Sequence, residues 1–295
     1  MEKNISEIRE HIGAVRETRQ ITNAMYLLSA SRMKKTLPQV EYTREYFHRM
    51  RAAVKDILTH SPELEHRYLA GHRRTAHGAQ RPAFLVMAAD KGMAGAFNHN
   101  VLQFAWERIP WQERPYIATV GIYATEFFMR KGVAPDREFL GMAQNPSIGN
   151  ARALKDELFA LYDEGEISEL SIIHTRFINT ATQYPRQVRL LPVSLNDLQH
   201  IALEFEYDRE MIYHPSAKEV FYRLIPQYAV GLLYGTLAQS YASEHCARMN
   251  AMQSATKNAD ELIEKLSHAY HSARQLRITQ ELTEISAGLL QDGRQ

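Results

Sequence analysis

The chain has 295 residues, 45% hydrophobic and 23% charged, enough to bury a sizeable core in one or two domains. Its 35 Lys and Arg against 34 Asp and Glu leave a net charge of +1, which excludes a global basic field for nucleic acid or anionic lipid. The lone Cys246 excludes an intrachain disulfide, and no apolar run reaches the roughly 18 to 20 residues that span a bilayer.

The N-terminal MEKNISEIREHIG carries acids and lacks the apolar heart of a signal peptide, so neither secretion nor membrane embedding is expected. From about residue 3 to 58 the only breakers are Gly13 and Pro38. Ile5, Ile8, Ile12 and Val15 recur at alternating steps of three and four, the seam of a coiled coil. The same count lands next on Arg19, Thr22, Tyr26, Ser29 and Met33, polar or small for the most part, with Ile21, Met25 and Leu28 on a neighbouring stripe. A helix over 1–60 follows; at about 55 residues it is roughly 80 Å long, too long for the interior of a compact domain. Pro38 removes a backbone donor and either kinks or ends it. The basic cluster Arg32, Met33, Lys34, Lys35 reads equally well as a solvated face or as a patch for acidic partner loops.

Residues 61–82, rich in His and Arg, read as a polar connector. Residues 83–210 alternate strands with helices, the mark of an α/β domain with a mostly parallel sheet. PAFLVMAAD and PYIATVG are nearly continuous apolar runs, as in strands buried on both faces. ATEFFMRKG and ARALKDELFALYDEG have helical periodicity, and ELSIIHTRFI and RQVRLLPV read as strands joined through NTATQYP. The segment Asp90 to Asn98 leaves the first strand and opens a helix, where nucleotide loops sit. It has neither GxGxxG nor GxxxxGK[ST], so it reads as a tight glycine turn capped by Asn98 or Asp90. The last segment, 211–295, is again helical, with Ala259, Ile263, Leu266, Tyr270 and Ala273 in a seam that continues to Arg277, Gln280, Glu284 and Ala287. Two long helices from opposite ends pair most economically as an antiparallel coiled coil beside the central, Rossmann-like α/β domain.

Chemistry is thinly represented. The 13 histidines form no HExxH and no quartet with cysteine. His268 and His271 share a helix face, and Asp163/Glu164 and Glu204/Glu206 are paired carboxylates; all read as solvated charge. Nothing assembles a catalytic set, and no cofactor is expected.

The two ends carry a resemblance. Ile21-Thr22-Asn23-Ala24-Met25 with Ala30-Ser31-Arg32-Met33-Lys34-Lys35 resembles the N-terminal signature of F-type ATP synthase gamma subunits. Ala273-Arg274-Gln275 with Ile278-Thr279-Gln280-Glu281-Leu282-Thr283-Glu284-Ile285 resembles the C-terminal one. Ser243-Glu244-His245 and Ala255-Thr256-Lys257-Asn258-Ala259 match between them, and Asp90-Lys91-Gly92 with Gly95-Ala96-Phe97-Asn98 matches in the central domain. The resemblance, from about 3 to 288, implies a non-catalytic central-stalk rotor that transmits torque between the ion-driven c ring and the alpha and beta subunits during proton-motive ATP synthesis. The implied partners are alpha, beta and epsilon subunits and the c ring, on the cytoplasmic face of a bacterial cell membrane. By motif, Met25, Arg248, Gln275, Thr279 and Glu281 are similar to the shaft positions that face beta-subunit loops; by position, Tyr213 and His214 fall near the foot. The pattern departs at Pro38 and at Gly288-Leu289-Leu290. A gamma-like coiled-coil protein of another assembly is the alternative.

Overall fold

The computed structural model describes residues 2–69, 81–198 and 213–292, with side chains placed for 5–69, 81–198 and 213–283. Glu204 and Glu206, half of the expected connector (70–80) and the side chains of Glu284, Ala287 and Gly288-Leu289-Leu290 lie outside that description. Two helices dominate, α1 (Glu2–His60) and α5 (Ala217–Asp292). Contacts gather the chain into two compact units, one of Met1–Ser29 with Arg248–Gln295 and one of Ala30–Ala247.

The Ala30–Ala247 unit is built on a five-stranded sheet in the order β3-β2-β1-β4-β5: Arg137–Phe139, Tyr116–Val120, Arg81–Met87, Ile167–Phe177 and Gln183–Leu191. The first four are parallel and β5 runs antiparallel to β4. Leu85 stands beside Ala118 on one flank and Ile172 on the other, which places β1 at the centre. Its apolar run splits by parity, as strand geometry requires. Ala83, Leu85 and Met87 join Leu154 and Leu158 of α4 (Ile148–Glu164) and the α5 residues Phe221, Ile225 and Leu233. Phe84, Val86 and Ala88 face the other way, onto Val101 and Leu102 of α2 (Phe97–Arg108) and Phe128 of α3 (Ile122–Arg130). Both faces are covered, so no polar alternation was available to the sequence.

Three local expectations change. Helix α1 continues through Pro38, whose ring is exposed, so the proline does not end it. Strand β5 starts at Gln183, inside the stretch read as a connection. Pro185 is tolerated there because β5 is an edge strand and a missing N–H breaks no outer ladder. The expected cap of α2 by Asn98 or Asp90 is not formed; Ala96 occupies the cap position without a side-chain bond. Asn98 Oδ1 instead accepts from the Ala89 N–H at 3.0 Å, and Asp90 Oδ1 from the Ile122 N–H at 3.0 Å, at the start of α3.

Those two bonds decide the character of the sheet's carboxyl edge, where open α/β folds hold their ligands. Amides that could face a phosphate are taken by the chain's own side chains. Gly121, at φ +94°, starts α3 so close to β1 that a Cβ would lie 2.3 Å from the Ala88 carbonyl oxygen. Ser240, Tyr241 and Glu244 of α5 line a void of only about 10 Å³ against Met87, Ala88 and Val120. The crevice is filled by the protein itself.

Candidate functional site

The residues singled out for partner contact all belong to the Met1–Ser29/Arg248–Gln295 unit. Within it, the α1 seam buries as counted except at Arg19, which is exposed: Ile12 and Ser29 are buried, and Ile5, Ile8, Val15, Thr22 and Tyr26 are half-buried. On α5, Met252 and Ala259 are buried and Ile263, Leu266, Tyr270, Ala273 and Arg277 half-buried, again at steps of three and four. Gln280 is exposed, so coverage stops there.

Two polar contacts set the pairing. Arg19 Nε donates to Asp260 Oδ1, and Thr22 Oγ1 lies 2.9 Å from Thr256 Oγ1. A step up α1 is matched by a step down α5, so the helices are antiparallel. Carried on, that register brings Ile12 opposite Leu266 and Glu2 opposite Leu276 and Arg277. Beyond Arg277, no described α1 residue lies across from α5 in this register. Leu282, in that stretch, is 60% exposed, and Leu276, at its edge, 65%.

The predicted contact residues fall into two bands. Gln275, Thr279 and Glu281 are exposed, on the last turns of α5 whose side chains are described. Thr279 Oγ1 donates to the Gln275 carbonyl at 2.9 Å, and Arg277 Nε to Glu281 Oε1 at 2.7 Å, so the band is braced along its own helix. Met25 is half-buried beside Ile21, which is 62% exposed. Arg248, at 5% exposure, is nearly covered, and the motif gave no sign of that. From Arg248 to Thr279 the helix rises about 46 Å, so the five positions form a long surface and not one pocket.

The other candidates are placed as follows. In the Ala30–Ala247 unit Arg32 is half-buried, Met33 buried, and Lys34 and Lys35 exposed, a seam residue flanked by solvated cations. Tyr213 is half-buried and His214 exposed. His268 and His271 are exposed, and among the described residues no group of three His, Cys, Asp or Glu could hold a metal. Cys246 is buried; it donates to the Thr180 carbonyl at 3.3 Å and accepts from Gln183 Nε2 at 3.1 Å, and burial pushes its thiol pKa up. Sequence reasoning passed over one polar constellation altogether, the arginine-lined cleft that includes His174, because its walls come from α1, the β4–β5 hairpin and α5, far apart in the chain.

Comparison with known proteins bears on the whole chain. A family model described as ATP synthase matches residues 4–290. The ATP synthase gamma chain of Caldanaerobacter subterraneus subsp. tengcongensis is 40% identical over 290 residues, covering 96% of this chain and 98% of the relative. The ATP synthase gamma chain of Ruminiclostridium cellulolyticum is 38% identical over 291 residues, with 98% of both covered. Among solved structures, a chain of the Euglena gracilis mitochondrial ATP synthase superposes with a TM-score of 0.67 at 15% identity, over 98% of this chain and 94% of its own. A chain of the Tetrahymena thermophila mitochondrial ATP synthase central stalk and c ring gives 0.56 at 22% identity, over 80% and 99%. At those identities the structural likenesses speak for the fold alone.

Proposed function

The chain belongs to the ATP synthase gamma-chain family, and on that premise we propose that it is the central-stalk rotor subunit of an F-type ATP synthase. It transmits torque between ion-driven rotation of the c ring and the catalytic alpha and beta subunits. The observation that carries this reading is relatedness over nearly the whole length of chain and relative, at 40% identity. The geometry supports it. An antiparallel helix pair presents different residues around its girth, so a ring of like subunits around it meets a different surface on each side. Rotation then favours one subunit conformation after another through unequal contact free energy.

Met25, Gln275, Thr279 and Glu281 are the positions that meet beta-subunit loops. Arg248 is nearly covered, so direct contact is assigned to the other four. The chain supplies no catalytic group; ATP chemistry belongs to the beta subunits. No helix among the described residues is long and apolar enough to cross a membrane. Attachment to the cytoplasmic face of the cell membrane runs through the complex, with the α/β unit meeting epsilon and the c ring.

The test is reconstitution. Purified alpha and beta subunits should form one assembly with this chain, and ATP hydrolysis by that assembly on c-ring vesicles should pump ions. Formation of a stable complex that excludes alpha and beta, or unchanged pumping when the chain is omitted, defeats the proposal.

A further inference from the structure

We infer that the cleft between α1, the β4–β5 hairpin and α5 in the Ala30–Ala247 unit is a binding site for a small phosphate-class oxyanion. The cleft encloses about 280 Å³, and its walls carry Arg44, His48, Arg51, His174, Arg176 and Arg186, with no carboxylate among the described lining residues. Arg44 is neutralised by Glu41 on its own helix at 3.1 Å. Arg51 donates from Nη2 to the Asp197 backbone carbonyl at 3.1 Å, yet its buried Nε has no hydrogen-bond partner. Arg176 donates from Nη1 to the Tyr184 hydroxyl at 3.3 Å, a neutral acceptor. No carboxylate among the described residues pairs with Arg51, Arg176 or Arg186.

Crowding of this kind is unfavourable in the empty protein. Burial, and after it the charges of Arg176 and Arg51, push the Arg186 pKa down. At the floor of the same cleft His174 is 2% exposed, and its Nδ1 finds no partner. Buried polar atoms are normally satisfied, so the bare His174 nitrogen, in a cleft with three guanidinium groups that have no carboxylate partner, leaves hydrogen-bonding capacity unmet. A neutral wall would be cheaper if the cleft were mere packing. The planar guanidinium fork matches the oxygen pairs of phosphate, and a doubly charged oxyanion offsets the mutual repulsion that a single carboxylate would leave. The volume admits a diphosphate as well as a monophosphate. The plain alternative is that the arginine stems cover apolar surface while water solvates their heads.

Sodium pyrophosphate is the probe, titrated into the purified full chain against sodium chloride of equal ionic strength. Pyrophosphate should raise the melting temperature by about 2 °C or more beyond the salt control. Arg51→Gln and Arg186→Gln should each weaken that response tenfold or more. Arg186→Gln relieves repulsion and breaks no hydrogen bond or ion pair among the described residues, so without the anion it should melt no lower than the parent. Arg51→Gln also loses the bond to the Asp197 carbonyl, so its response is read relative to its own anion-free melting temperature. Histidine-selective NMR gives a readout that needs no variant: bound pyrophosphate should lift the His174 pKa from its depressed value. An equal shift in chloride, a response kept by both variants, or a His174 titration unmoved by pyrophosphate would overturn the inference. So would a silent pyrophosphate titration with variants that lose assembly with partner subunits, which would mark the cleft as a dock for an acidic protein segment.

Discussion

Gly231 and Gly235 lie one helical turn apart on α5, where it crosses α1 in the Ala30–Ala247 unit. A Cβ at Gly231 would come within 2.6 Å of the Tyr46 ring, and one at Gly235 within 2.7 Å of Thr43 Cγ2 and 3.0 Å of the Phe47 ring. The helix interior normally penalises glycine, and here close approach offsets that cost. Gly235→Leu should therefore destabilise by about 1 to 3 kcal/mol through overpacking. Gly13, with nothing within 4 Å of its added Cβ, should behave oppositely: Gly13→Ala should stabilise by up to about 1 kcal/mol. Denaturant midpoints of the two variants check both signs. His174 yields a pH prediction. Burial first, then Arg186 and Arg176, hold its pKa at about 4 against 6.5 in an exposed ring, with only the Thr175 backbone acting the other way. Between those values the unfolded chain binds a proton that the folded chain refuses, so stability falls as pH drops from 6.5 to 4. The loss amounts to at most about 3 kcal/mol and levels off below pH 4. His174→Gln should flatten that slope in urea titrations made without phosphate or citrate. None of these residues was legible in the sequence. A glycine reads as a breaker until the aromatic facing it is known, and His174 reads as one more strand residue until Arg51 of α1 and Arg186 of β5 join Arg176 of its own strand in one cleft.

The paired helices show the reverse. Steps of three and four through Ile5, Ile8, Ile12 and Val15, and through Ala259, Ile263, Leu266 and Tyr270, placed the buried stripe correctly because helical periodicity is a local property. Pro38 falls on an exposed position, so the stripe passes it undisturbed. The short β3 escaped notice. Three residues have no period to read, and what holds the segment is tertiary: Asp136 Oδ2 accepts from the Ile117 N–H at 2.8 Å and Oδ1 from Arg81 at 3.0 Å. At this scale one comparison is decisive. Leu266→Asp puts a charge opposite Ile12 in a half-covered seam and should cost about 2 to 3 kcal/mol. Truncation after Leu282 removes helix with no described α1 residue across from it and should leave thermal unfolding nearly unchanged. If the truncated chain melts below Leu266→Asp, the register drawn from Arg19–Asp260 and Thr22–Thr256 is wrong.

For the molecule as a working part, the family relationship makes a demand that stability measurements do not reach. Met25 sits half-buried beside exposed Ile21, on a face proposed to slide past partner loops. Met25→Lys should leave folding and assembly intact, since its side chain reaches solvent. A new cation there can bind one loop conformation better than the others, which retards passage between states. Ions pumped per ATP should fall by severalfold while the assembled fraction stays constant; an unchanged ratio would remove Met25 from the contact surface. The family was readable from short motifs because they recur in order along the chain, although several of their residues, Met33, Ser243, His245 and Ala259 among them, are buried. The covered state of Arg248 was not, since a motif records which residue recurs and not how much of it the fold leaves open.

The Arg19–Asp260 contact joins residues 241 positions apart, and that separation has a consequence during synthesis. A ribosome adding roughly 5 to 20 residues per second needs about 12 to 48 s to travel from one to the other. Through that interval Ile5, Ile8, Ile12 and Val15 have been made and their covering strip has not. An apolar stripe on a nascent helix is a target for holdases and for the same stripe on a neighbouring nascent chain, so polysomes crowded on one message are where this protein is most exposed to misassembly. Pairing late also confers order. Once Tyr46 and Phe47 have met Gly231 and Gly235, the loop left to close is only the pair of helical segments beyond them, and the last contacts form at small entropic cost.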